Sequence, residues 1–124
     1  MTLSVDVFLV DEHGESQVQD VPGGSSDMAG TESWRESVWG SPAVRSLGAR
    51  LFPRVLDGWL VARPDEVVEL LDECALLRAN LVLIARGVVG GASPDSLRSV
   101  GDRLANIADA CHRALAIGGG VLVW

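Results

Sequence analysis

Apolar residues recur along this chain with two different periods. From Leu3 to Val10 they alternate, with Leu3, Val5, Val7 and Leu9 on one side and Ser4, Asp6, Phe8 and Val10 on the other. A period of two with one apolar side predicts a half-buried β-strand. Asp11-Glu12-His13-Gly14-Glu15 follows as a polar turn, and Ser16 to Val21 reads as a weaker return strand ended by Pro22-Gly23-Gly24. The small, polar run from Gly23 to Gly30 is expected to be a mobile loop.

Beyond it the period lengthens. Thr31 or Ser33 can cap a short helix containing Trp34, Val38 and Trp39 that stops at Gly40. Ser41-Pro42 starts another, with Val44, Leu47 and Leu51 inward and Pro53 at its end. Trp59 to Ala62 predicts a strand. Val67, Leu70, Cys74, Leu77, Leu81 and Ile84 then keep a helical spacing, and so do Leu97, Val100, Leu104, Ile107, Cys111 and Leu115. These predict a helix from Pro64 to Arg86 and another from Ser93 to Gly118, each with one apolar stripe. The Gly87–Ser93 break is short enough to make them antiparallel neighbours. Acids at Asp65, Glu66 and Glu69 near the start of the first and Arg86 at its end suit the helix dipole. Asp109 and Arg113 form an i,i+4 pair on the outer face of the second. Val121 to Trp124, apolar on both sides, predicts a strand well inside the sheet.

The resulting order, β-(β)-α-α-β-α-α-β, fits an α+β two-layer sandwich. A small, mainly antiparallel or mixed sheet would pack on a long antiparallel helical hairpin plus two short helices. With 124 residues and no linker, residues 1–124 are expected to form a single domain with a core that needs no disulfide or metal. No basic stretch followed by an apolar run stands at the N-terminus, so no secretory signal is expected. No apolar run reaches the roughly 18 residues of a membrane span, and a soluble, cytoplasmic protein is the expectation.

Charge sharpens this. Residues 1–40 carry Asp6, Asp11, Glu12, Glu15, Asp20, Asp27, Glu32 and Glu36 against Arg35 alone, so the whole net charge of −7 lies there. Such a field attracts basic partners and repels nucleic acid and membrane surfaces. All ten cations are arginine. The absence of lysine excludes a P-loop lysine, a Schiff base and a pyridoxal phosphate anchor.

Each candidate for chemistry has a plainer explanation. Asp11, Glu12, His13 and Glu15 offer metal-binding donors but lack calcium-loop spacing, and they read as a solvated turn. Cys111 and His112 point about 100° apart on a helix, one toward the apolar face and one away, which denies them a nucleophile–base pairing. Gly23-Gly24-Ser25-Ser26 has the composition of a phosphate loop without the lysine or the following helix. Gly118-Gly119-Gly120 reads as a helix cap and a tight turn. With Arg86 opposite Pro94, Cys74 falls opposite Asn106 and Cys111 opposite Glu69. That offset is on the order of 7 Å, too far for easy bridging, so both read as buried free thiols. No catalytic residue, cofactor or metal is expected.

Of the four tryptophans, Trp59 and Trp124 sit in strands and are expected to fill the core or the sheet margin. Trp34 and Trp39 lie about 140° apart round a helix, which leaves one partly exposed beside Glu32, Arg35 and Glu36. They read either as interface anchors with a charged rim or as core.

The acidic opening strand and turn (Ser4 to Glu15), with Glu32-Ser33-Trp34-Arg35 and Trp39-Gly40-Ser41, resembles the small single-domain immunity proteins of bacterial polymorphic toxin systems. That resemblance implies a non-enzymatic binding protein whose acidic face occludes the basic active surface of a cognate toxin. Asp6, Asp11, Glu12, Glu15, Glu32, Trp34, Arg35, Glu36 and Trp39 would supply the contact. The alternatives are a homodimerising structural or regulatory subunit, joined through strand edges or the second face of the hairpin, and a small enzyme or ligand-binding domain.

Overall fold

A computed structural model describes residues 1–124. Strands β1 (Thr2–Val10), β2 (Ser16–Val18), β3 (Met28–Thr31), β4 (Leu60–Ala62) and β5 (Gly120–Val123) form one antiparallel sheet. Its order is β2-β1-β5-β4, with β3 sharing the β2 edge of β1. The helices are α1 (Pro42–Ser46), α2 (Val67–Ala79), α3 (Leu81–Ala85) and α4 (Pro94–Ile117). A π-helical turn covers Arg35–Trp39, and short 3-10 helices cover Phe52–Asp57 and Pro64–Glu66. The fold is the expected α+β two-layer arrangement, with β5 held between β1 and β4.

Register divides the sheet into two faces. Val5 lies opposite Val123 and Val7 opposite Val121, while Leu60 and Ala62 oppose the same two β5 residues from the other side. Directly opposed residues project from the same face, so Leu3, Val5, Val7, Leu60, Ala62, Val121 and Val123 all turn toward the helices. There they meet Leu70, Cys74 and Leu77 of α2 and Val100, Leu104, Ile107, Cys111 and Ala114 of α4 in one buried cluster. Ser93 caps α4 by accepting from the Ser96 amide at 3.1 Å. Gly118, in the left-handed conformation at φ +70°, ends it, as a helix C-cap requires.

Several local expectations need correction. The run Gly23–Gly30 is not a free loop throughout, because Met28–Thr31 pairs with the start of β1. The Val5 amide donates to the Asp27 carbonyl at 2.8 Å, and Trp39 Nε1 donates to the Ala29 carbonyl at 2.8 Å. The return strand stops at Val18 rather than Val21. The helix expected from Pro64 to Arg86 breaks at Asn80, whose side-chain amide takes the Leu76 carbonyl at 2.9 Å while its backbone amide turns to Leu77. An asparagine side chain competing for the i−4 carbonyl interrupts the helical ladder in this way.

Cys74 and Cys111 are buried free thiols, as expected, but they are neighbours rather than offset. A hydrogen bond with Cys111, followed by burial, pushes the Cys74 thiol well above the ordinary thiol range.

The irregular segment from Leu47 to Trp59 is pinned by two side chains. The buried Glu73 carboxylate accepts from the backbone amides of Arg50 (3.0 Å), Leu51 (3.0 and 3.1 Å) and Phe52 (3.0 Å). Arg35 donates to the carbonyls of Val55, at 2.9 Å, and Gly58.

Candidate functional site: the open face of the sheet

Alternation places the other half of each strand on the face with no helical layer. There Asp6 lies opposite Leu122, Phe8 opposite Gly120 and Val18, and Val61 opposite Leu122. Trp59 and Trp124 keep the parity of Val61 and Leu122 and join this face. Their rings meet edge to face with centroids 5.4 Å apart, a favoured aromatic geometry. Trp59 is 59% and Trp124 43% exposed. Phe8, Val10, Val18, Trp59, Val61 and Leu122, with Ser16 and the Arg63–Asp65 pair at its margin, line a shallow depression of about 590 Å³. Scattered apolar residues are normal on a surface, but a contiguous apolar patch with a polar rim marks an interaction site.

Two details make this face rigid. Asp6 is buried and accepts from Trp124 Nε1 at 2.7 Å, fixing the indole while satisfying a carboxylate set among apolar neighbours. Phe8 is accommodated because position 120 is glycine: a Cβ there would clash with the Ala62 carbonyl oxygen at 2.5 Å and with the edge of the Phe8 ring. Glycine within a strand often marks such a close approach.

The sheet edges are less available than its face. Arg54 donates to the Val61 carbonyl on the β4 edge at 2.9 Å while holding Glu66 through both oxygens at 2.9 and 2.6 Å. The opposite edge consists of the short strands β2 and β3. Short strands and capped carbonyls are how native sheets discourage edge-to-edge pairing.

Of the sequence-expected contact residues, Asp6 is buried and committed to Trp124 rather than free to meet a partner, and the others divide into three groups. Glu12 and Glu15 are exposed on the β1–β2 turn beside Val10 and Ser16, at one end of the open face. Asp11 organises that turn, accepting from the amides of His13 (2.8 Å) and Glu15 (2.9 Å) and from Gln17. The Glu15 amide is the main cause of its lowered pKa. Glu32, Arg35 and Glu36 sit at the other end of the nine-residue β1, and at roughly 3.3 Å per residue that strand puts about 30 Å between the two acidic clusters. Glu32 and Arg35 are committed to each other at 2.7 Å, and that hydrogen bond lowers the Glu32 pKa. Glu36 is exposed. The eight N-terminal acids therefore do not form one acidic face.

Trp34 and Trp39 are the clearest correction. Both are buried, at 6% and 0% exposure, with rings edge to face at 5.7 Å. The 140° separation held for an α-helix, whereas the π-helical turn closes from the Gly40 amide to the Arg35 carbonyl, five residues back. That wider turn returns residue i+5 toward residue i, so both indoles reach the core. The exposed pair is Trp59 and Trp124 instead. The signal for it was present in β5, apolar on both sides, and in Phe8 and Val10 on the second side of β1. In a two-layer fold only one side of such strands can be covered.

No group of three or more His, Cys, Asp or Glu side chains is placed to hold a metal ion. No helix is long and apolar enough to cross a membrane. A scan against protein-family models, a search of curated proteins and a search of solved structures each find no match to the chain.

Proposed function

We propose that this chain is a stoichiometric binding protein of the immunity type, which neutralises a basic protein toxin by covering its active or substrate surface. The contact surface in this reading is the open sheet face rather than the Trp34–Trp39 segment. The observation that carries it is the Trp59–Trp124 pair, exposed on an uncovered apolar face whose end is bordered by Glu12 and Glu15. Tryptophans held in place beforehand are the residue type that anchors protein interfaces. Acids at the rim raise the association rate with a basic partner and contribute less to the final affinity. The net charge of −7 disfavours nucleic acid as the occupant.

The test is co-expression with the product of the adjacent gene, followed by binding measurements on purified variants. Trp59→Ala should weaken the complex by about 2 kcal/mol, roughly thirtyfold. Reversing Glu12 and Glu15 to Arg should slow association and flatten its salt dependence. Asp11 is left intact because it holds the turn together. The reading fails if the neighbouring product does not bind, or if Trp59→Ala binds it with unchanged affinity. A tight homodimer at every concentration, with no foreign partner, would move the assignment to a self-associating subunit.

A further inference from the structure

A second site lies away from the open face, between the start of β1, β3 and the first half of α4. It is a cavity of about 130 Å³ whose walls include Thr2, Ser4, Asp27, Ser99 and Arg103, with the Trp34 ring as an apolar surface. Six of the ten arginines (Arg35, Arg50, Arg54, Arg63, Arg98 and Arg113) are engaged in ion pairs. Arg103 is not, and its Nε is buried without a hydrogen-bond partner. Asp27 lines the same cavity and its carboxylate is likewise uncommitted, while its backbone carbonyl is fixed by the Val5 amide. The hydroxyls of Thr2, Ser4 and Ser99 make no side-chain hydrogen bond within the chain either. A buried donor is normally satisfied, so the orphaned Arg103 Nε, in a wall that the half-buried Asp27, Ser4 and Ser99 share, is the exception.

We propose that this cavity binds a small zwitterion, an α-amino acid of glycine or alanine size. A guanidinium suits a carboxylate through charge-assisted hydrogen bonds, and the Asp27 carboxylate suits an ammonium group. A simple anion would satisfy Arg103 but face Asp27, and a simple cation would do the reverse. A ligand carrying both charges answers both walls, with the hydroxyls left for its remaining donors and acceptors. An apolar cavity of about 150 Å³ holds a benzene-sized ligand, so this space suits one of roughly six heavy atoms, the size of glycine or alanine. Trp34 gives the ligand's side chain an apolar surface, held by its edge contact with Trp39. Thr2 and Met28, both exposed, leave the cavity a route to solvent. This site is independent of the proposed toxin contact.

The experiment is a titration of the ¹⁵N-labelled full chain with glycine, L-alanine, acetate and methylammonium, followed by amide chemical shifts. Glycine and L-alanine should produce saturable shifts confined to Met28–Thr31 and Ser99–Arg103. Acetate and methylammonium should bind at least about tenfold more weakly. Arg103→Gln and Asp27→Asn should each weaken amino-acid binding by roughly tenfold or more, the loss expected for one charge-assisted contact. Absence of saturable shifts with the amino acids overturns the proposal. So does acetate binding as tightly as glycine, which would mark a plain anion site. Should Arg103→Gln not fold, Asp27→Asn and the half-ligand comparison on the native chain decide the question.

Discussion

Replacing Glu73 by glutamine removes one charge and almost no volume, so it isolates the carboxylate's part in holding the irregular segment between α1 and β4. Both Glu73 oxygens are in use, taking the successive amides of Arg50, Leu51 and Phe52 at 3.0 to 3.1 Å. The side chain is 7% exposed, and Leu51 and Phe52 are fully buried, so water cannot replace what is lost. A glutamine keeps one acceptor oxygen and turns an amide donor toward the remaining N–H groups. At least one buried amide is then unsatisfied, at about 1–3 kcal/mol, and the surviving contacts lose their charge assistance. The net loss should be about 3 kcal/mol. At roughly 2 cal/mol/K of unfolding entropy per residue, that lowers the melting temperature of a chain this size by on the order of 10 °C. Urea unfolding followed by far-UV circular dichroism should show a lower midpoint with an unchanged slope. Glu69→Gln is the control, because its ion pair with Arg50 is solvent-exposed, at 42% and 59%, and such pairs contribute about 0–1 kcal/mol. A Glu73→Gln protein within about 0.5 kcal/mol of the parent would refute the argument.

Two further perturbations probe the sheet and its acid response. Gly120→Ala would push a methyl group against the Ala62 carbonyl oxygen and the Phe8 ring. Overpacking of this kind should destabilise by about 1–3 kcal/mol, and Phe8→Ala should cost less in the Gly120→Ala background than in the parent, a non-additivity read by the same unfolding curves. Glu66, 6% exposed, is held at a pKa of about 2 against an ordinary 4.5, chiefly by the hydrogen bond from Arg54. A carboxyl whose pKa is lowered by folding contributes in full above its unfolded value and loses that contribution as pH falls through the folded one. Stability should therefore decline from about pH 5 toward pH 2. Glu66→Gln should flatten that decline and cost about 2 kcal/mol at neutral pH, allowing for the solvent contact of its arginine partners. Equal slopes in variant and parent would show that Glu66 does not carry the acid response.

Local pattern accounts for much of the architecture. The alternation from Leu3 to Val10 and the helical stripes of α2 and α4 each identify a buried side without knowledge of what covers it. Ser93 with Pro94, and Gly118, mark the limits of α4 through capping chemistry within a few residues. The charge excess in the first forty residues is also plain in the sequence, and Glu12 and Glu15 do border the candidate site. β3 is not marked by local pattern, because Met28-Ala29-Gly30-Thr31 has little strand preference of its own. It is a strand because β1 offers it an edge and Trp39 ties down the Ala29 carbonyl.

What tertiary structure alone decided has a common cause. Trp34 and Trp39 went inward and Trp59 and Trp124 outward because a π-helical turn altered one angular relation and the helical layer covered only one side of the sheet. Cys74 met Cys111 through the packing of α2 against α4, whose relative register the spacing within either helix does not fix. Arg103 and Asp27 came to face one cavity from positions far apart in the chain. Period and composition determine which residues seek burial, since those preferences belong to a residue and its near neighbours. Which apolar face remains open, and which polar groups share a wall, depends on contacts between distant segments that no local spacing encodes.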